Sequence, residues 1–289
     1  MSTLQRVGST IDLLGESPIW CEREQALYWV DVRGPCIRRH AIATGATESW
    51  PMPELVGSLA VREQGGLVVA LATALALFNP RDGALSRIAA PEAGIPHRRF
   101  NDGKCDRQGR FWAGTMNDVT RGPEGTLYRL DADRRCTATF GGVRAPNSLA
   151  WSPDGATMYF ADSYLHAIFA YPFDVVTGAL GERRLFAPVA LPGMPDGSAV
   201  DAEGCLWNAE YDGGRLVRYA PDGRVDRVVD LPLRRPTSCA FGGSGFGTLY
   251  VTTASQKLTA AELAAQPLAG ALLALDVGVR GLPEPRYLG

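Results

Sequence analysis

Lysine is nearly absent from this chain. Only Lys104 and Lys257 stand among 29 basic residues in 289, so a Schiff-base mechanism has almost no candidates. The three histidines (His40, His97, His166) lie far apart and form neither H-x-H nor H-x-x-x-H. None of the six cysteines (Cys21, Cys36, Cys105, Cys136, Cys205, Cys239) falls in a C-x-x-C pair. A zinc centre held by sulfur and imidazole is therefore poorly supported. No uncharged apolar run reaches membrane-spanning length. The opening residues MSTLQRVGSTIDLLGE hold no apolar stretch of signal-peptide length, so the expectation is a cytoplasmic protein with reduced thiols. No charge of one sign dominates: 29 basic against 31 acidic residues leave a net charge of −2. That removes the field needed for nucleic acid or an anionic membrane. Without a heptad or a long exposed apolar helix, the expected state is a monomer or weak homo-oligomer.

What is present is turn chemistry between short apolar segments. Gly (33) and Pro (20) make up about 18% of the chain, too much for long helices, while 46% hydrophobic content is enough for a core. Six aromatic or β-branched segments recur: ALYWVD (26–31), GLVVAL (66–71), RFWAGT (110–115), TMYFAD (157–162), CLWNAE (205–210) and TLYVTT (248–253). Turns such as SPDGA (152–156) and DAEGC (201–205) precede them, and a further strand follows, as in TLYRLD (126–131). With Glu16, Gly57, Asn101, Asn147, Asp196 and Thr237 as equivalent positions, the spacings are 41, 44, 46, 49 and 41 residues. A period of about 40–50 residues with four strands per unit predicts a β-propeller. The fold class is thus all-β, a six-bladed propeller of four-stranded antiparallel blades, with residues 1–289 read as one domain. LQRVG (4–8) is predicted to close the ring as the outer strand of the last blade, which the reading extends from Thr237 to the C-terminus. The capping box Thr259-Ala-Ala-Glu262 predicts a short helix within that blade.

In a propeller the starts of the innermost strands converge at one mouth of the central channel. Here that register reads Glu16, Gly57/Ser58, Asn101, Asn147, Asp196 and Thr237/Ser238. Each polar residue alone has an ordinary turn explanation: Asp196 in PDGS, Asn101 in NDG, Asn147 after Pro146, and Glu16 beside Ser17-Pro18. Together they place two carboxylates and two carboxamides at one end. Hard oxygen donors of that kind suit Ca²⁺ first, with Mg²⁺, Mn²⁺, Zn²⁺ or Fe²⁺ also admissible.

The segments LGESPIW (14–20), RRFNDGKCDRQGRFWAGTM (98–116), APNSLAWSPDGATMYFADS (145–163) and MPDGSAVDAEGCLW (194–207) resemble the gluconolactonase/regucalcin (senescence marker protein) family of six-bladed propellers along nearly the whole chain. The resemblance implies one divalent ion on Glu16, Asn147 and Asp196, with Arg99 and Asn101 on the substrate. It implies metal-dependent hydrolysis of a sugar 1,4- or 1,5-lactone to the aldonic acid. In that reaction the ion polarises the carbonyl and acidifies water, and Asp196 accepts the water's proton. Many relatives carry an acidic pair after G-T-M that faces substrate hydroxyls. This chain has Asn117-Asp118-Val119 there, leaving Asp118 as the carboxylate for that contact. Lys104 and Asp102 read as structural, and Tyr164, His166, Met194 and Tyr211 as candidate pocket lining. No G-x-S-x-G elbow is present, so no covalent serine is expected. Two other readings stay open: a calcium-binding regulatory or scaffold propeller without turnover, and an organophosphate or aryl-ester hydrolase. Propellers of the latter kind usually add histidines near the channel.

Overall fold

A computed structural model describes residues 4–289, in which the chain winds into six four-stranded antiparallel sheets. Their innermost strands, numbered here as blades one to six, are Gly15–Cys21, Val56–Val61, Arg98–Cys105, Pro146–Trp151, Met194–Val200 and Pro236–Gly242. Each packs on the next, and the sixth packs on the first, so the sheets form a closed propeller. The aromatic segments become the second strands. They are apolar on both faces because each is sandwiched between neighbouring blades; ALYWVD, for example, is wholly buried. The outermost strands are polar and mostly exposed, as in Thr47–Pro51 and Val225–Asp230.

Three second strands carry a fully buried tryptophan, Trp29, Trp112 or Trp207. A buried indole N–H needs an acceptor. Each donates to a carboxylate: Asp12 at 2.8 Å, Asp106 at 2.8 Å and Asp201 at 2.9 Å. A guanidinium Nε then balances each acid, Arg38 on Asp12 (2.6 Å), Arg110 on Asp106 (2.6 Å) and Arg218 on Asp201 (2.8 Å). Truncating an aromatic in such a core typically costs about 3–5 kcal/mol, so these units hold blades one, three and five together.

The ring closes as the sequence predicts. Leu4–Val7 pairs antiparallel with Leu272–Leu275 as the outer strand of the sixth blade. The helix Ala260–Ala265 lies between the middle strands of that blade, with Thr259 and Glu262 exchanging the two bonds of the capping box. One expectation needs correcting. Beyond Leu275 the chain leaves the sixth blade: Gly281 bridges Asp201 of blade five, and Tyr287 bridges Arg62 of blade two. Tyr287 is fully buried, its N–H donating to Val61 O (2.9 Å) and its hydroxyl to Asp131 O (2.9 Å). Pro283 and Pro285 lack N–H donors, which prevents this tail from adding to a ladder. The cysteines are free thiols, five of them buried. Among the described residues no helix is long and apolar enough to cross a membrane.

Candidate active site at the channel mouth

Every innermost strand breaks register with its neighbour at the position singled out by the repeat. The breaks fall between Glu16 and Ile19, Val56 and Ser58, Phe100 and Gly103, Asn147 and Ala150, Pro195 and Ser198, and Pro236 and Ser238. A bulge bends the strand and re-aims a side chain. Here it turns one residue per blade toward the channel. At two of them the next residue takes a left-handed conformation, Ser17 at φ 50° and Ser148 at φ 59°, a cost tolerated where the surroundings over-determine it. Blade two has glycine at this register for a steric reason: a Cβ on Gly57 would run into the backbone oxygens of Phe100 and Asn101.

The loops entering the bulges are pinned by acids at the ends of second strands. Asp31 accepts the N–H groups of Leu13 (2.9 Å) and Leu14 (3.0 Å), just ahead of Glu16. Asp162 does the same for Arg144 (2.9 Å) and Ala145 (3.1 Å), just ahead of Asn147. The final D of ALYWVD and of TMYFAD is thus what presents those two side chains.

Five of the six expected site residues, Glu16, Arg99, Asn101, Asn147 and Asp196, line one recess of about 240 Å³. Arg99 Nη1 donates to Asn101 Oδ1 (2.6 Å), and Asn101 Nδ2 donates to Asn147 Oδ1 (3.0 Å). Asn147 Nδ2 donates to Ser163 Oγ (2.7 Å), whose hydroxyl donates to Pro195 O (2.7 Å) beside Asp196. One chain of polar contacts therefore spans blades three, four and five.

The sixth, Asp118, sits behind the wall rather than in it. Its carboxylate accepts from Arg33 Nη1 and Nη2 (2.7 and 2.8 Å) and Arg99 Nε (2.7 Å), and pairs with Arg121 Nη2 (3.0 Å). Burial alone would raise its pKa, but the hydrogen bonds from Arg33 and the charge of Arg99 outweigh it and hold the carboxyl well below the usual range. Tyr164, Met194 and Tyr211 line the recess, whereas His166 does not: its Nδ1 lies 2.9 Å from Gly193 O and props the neighbouring loop. Asp102 accepts Leu149 N–H (3.0 Å), tying the inner strands of blades three and four, and Lys104 Nζ donates to Ser198 O (2.6 Å), linking blade three to blade five. Reading the repeat did not single out Arg33, Arg121 or Arg235, all of which face the recess. They lie outside the inner-strand register, so the period carries no signal for them.

The acids at the mouth are unlike those in the core. Glu16 and Asp196 come within hydrogen-bonding reach of each other, and both carboxyls are pushed up, first by burial and then by neighbouring acids, Asp102 among them. Neither they nor Asp102 has an ion-pair partner among the described residues. Among those residues no three His, Cys, Asp or Glu side chains gather as a metal-binding group. The set at the mouth is instead two carboxylates and one carboxamide. A half-buried and a buried carboxylate, neither ion-paired, beside an amide oxygen fit a hard dication, whose charge would relieve their repulsion. A larger hollow of about 530 Å³ opens toward the other ends of the inner strands, around Ile19, Trp20, Arg107 and Arg286. Two of its acids are paired, Glu63 with Arg286 at 3.1 Å and Glu284 with Lys104 at 3.5 Å.

Comparison with known proteins sets the chain beside lactonases. Residues 14–255 match the family described as SMP-30/Gluconolactonase/LRE-like region. The chain is 41% identical to 6-deoxy-6-sulfogluconolactonase of Pseudomonas putida over 289 residues, covering 99% of each. It is 39% identical to L-arabinolactonase of Azospirillum brasilense, covering 98% of this chain and 95% of that one. A solved structure of a calcium-binding protein, regucalcin, from Agrobacterium tumefaciens superposes with a TM-score of 0.94 at 30% identity, covering 98% and 96%.

Proposed function

The chain belongs to the SMP-30/gluconolactonase/LRE-like family, and from that membership and the mouth geometry we propose that it hydrolyses a sugar 1,4- or 1,5-lactone with one bound divalent ion. The observation that carries this reading is the uncompensated pair Glu16 and Asp196, set in one recess with Asn147, Arg99 and Asn101. Glu16, Asn147 and Asp196 would hold the ion, Ca²⁺ being the best match to all-oxygen donors. When bound, such an ion supplies Lewis acidity that polarises a carbonyl and acidifies water.

The protein's own groups do the rest. Asn101 is fixed by Arg99 on one side and Asn147 on the other, so its amide is preset to meet a ring hydroxyl. Arg99 Nε and Nη1 are engaged by Asp118, Phe100 O and Asn101, leaving Nη2 as the donor that faces substrate. Asp196 takes the proton as the water oxygen bonds to the carbonyl carbon. It returns that proton to the ring oxygen as the ester C–O bond breaks, giving the open-chain aldonic acid. Because polar groups in the recess would be left unpaired by a plain aliphatic ring, a polyhydroxy lactone is preferred. Reduced thiols and a cytoplasmic setting agree with six free cysteines.

A proton-release assay over pentono-, hexono- and non-sugar lactones, with an aryl ester and an organophosphate as comparators, tests this. Turnover of sugar lactones that disappears on chelation and returns with a divalent ion is expected. Full activity after verified metal removal would overturn the metal-dependent reading.

A further inference from the structure

Asp118 is one carboxylate shared by three guanidiniums, Arg33, Arg99 and Arg121, at 2.7–3.0 Å. A single acid offsets one of those charges, leaving a surplus of about two positive charges on one wall. That surplus is not spread into water. The side chain of Arg99 is 5% exposed, and those of Arg33 and Arg121 are 27% and 26% exposed, all three lining the recess. The placement is built rather than incidental. Arg121 holds a left-handed conformation at φ 56° in a loop tied down by Asn117, whose Oδ1 accepts Val119 N–H and Thr120 N–H (both 3.0 Å). Asn117 Nδ2 donates in turn to Glu124 Oε2 at 2.7 Å. Among the described residues the only acid paired with Arg33, Arg99 or Arg121 is Asp118, already fully engaged.

A neutral polyol cannot discharge such a wall. Guanidiniums are matched by compact oxyanions, which accept paired N–H bonds from each fork. We propose that the substrate is an anionic sugar lactone: a lactone whose carbon chain beyond the ring bears a carboxylate, sulfonate or phosphate group held by Arg33 and Arg121. The inference rests on the lactonase reading for the ring and on the arginine wall alone for the anion. The ring carbonyl lies toward Glu16 and Asp196, while the oxyanion lies past Asn101 and Arg99 on the blade-one and blade-three side.

The test separates the two readings by measuring binding without turnover. Calcium-loaded protein is titrated calorimetrically with 1,5-anhydroglucitol 6-phosphate and with 1,5-anhydroglucitol, rings that lack the carbonyl. The phosphate is expected to bind at least about tenfold tighter, with a preference that shrinks as salt is added. Arg121→Gln sits on a loop outside the core and should cut that preference about threefold; adding Arg33→Gln should remove most of what is left, with circular dichroism unchanged. Equal binding of both rings by the wild type overturns the proposal. So does a preference that survives in the folded double variant, which would place the anion on the ion or near Arg235. Preferential phosphate binding without turnover of any lactone supports the anion site and sinks the hydrolase.

Discussion

Asp118 and Arg218 are inverse arrangements of the same chemistry. Asp118 is one acid among three arginines, whereas Arg218 is one arginine among three acids: Asp201 (2.8 Å), Asp226 (2.7 Å) and Glu203 (2.5 Å). Burial works against the Arg218 charge, but the hydrogen bonds it donates to Asp201, Asp226 and Glu203 outweigh it and keep the guanidinium firmly protonated. The excess negative charge there costs little because Glu203 and Asp226 reach water, at 63% and 38% exposure. The excess positive charge around Asp118 turns inward, to a recess where solvent screens it less. Surplus charge left facing an enclosed space is unfinished until a ligand arrives; surplus charge facing water is already satisfied. On the proposed reading the first arrangement serves recognition, while the second serves stability.

Substitutions can break that contrast. The largest effect is expected at the mouth. Asp196→Asn removes the carboxylate proposed as the base and one of the two repelling acids, so lactone turnover should fall by about 10³-fold or more. The melting temperature of the metal-free protein should hold or rise, since a buried like-charge contact is relieved. Turnover within tenfold of wild type would show that Asp196 is not the proton acceptor. Arg218→Ala should do the opposite, costing about 3 kcal/mol of stability by leaving Asp201 buried and unpaired, seen as a lowered urea midpoint, with kcat near normal in the folded fraction.

Asp118→Asn tests the shared acid itself. Without it the three guanidiniums repel, Arg99 loses its Nε partner, and KM for lactone should rise about tenfold with a smaller change in kcat. The smallest effect concerns acid. The Asp118 carboxyl is depressed in the folded state, so its ion pairs stabilise the protein above the ordinary aspartate range near ~4 and are lost as pH falls below it. The stability difference between wild type and Asp118→Asn should therefore narrow below about pH 4 in denaturant titrations. A gap that stays constant down to acid unfolding would show that these ion pairs contribute little.

Much of the site was legible because the repeat is local. Each blade is a run of hairpins, so aromatic second strands and intervening turns recur at a readable period, and that period alone aligns Glu16, Asn101, Asn147 and Asp196. The bulges that aim them were not legible: a bulge is one residue of mismatch between strands, decided by packing, and Ser17 or Ser148 in a left-handed conformation looks like any serine. His166 looked like pocket lining by its neighbours in sequence, yet its ring turns to Gly193 O.

The chain alone determined the number of blades, the closure of the last by Leu4–Val7, the capped helix after Thr259 and the oxygen-donor register, because each is written in short-range pattern and hydrophobic period. Only the tertiary structure decided that Asp118 holds arginines instead of facing the recess, that Arg33 of blade one meets Arg121 of blade three there, and that the tail leaves its blade to bury Tyr287. Those outcomes depend on contacts between distant parts of the chain, such as Arg33 and Asp118, 85 residues apart, whose pairing is a sum of charge, burial and geometry that no local stretch of sequence contains.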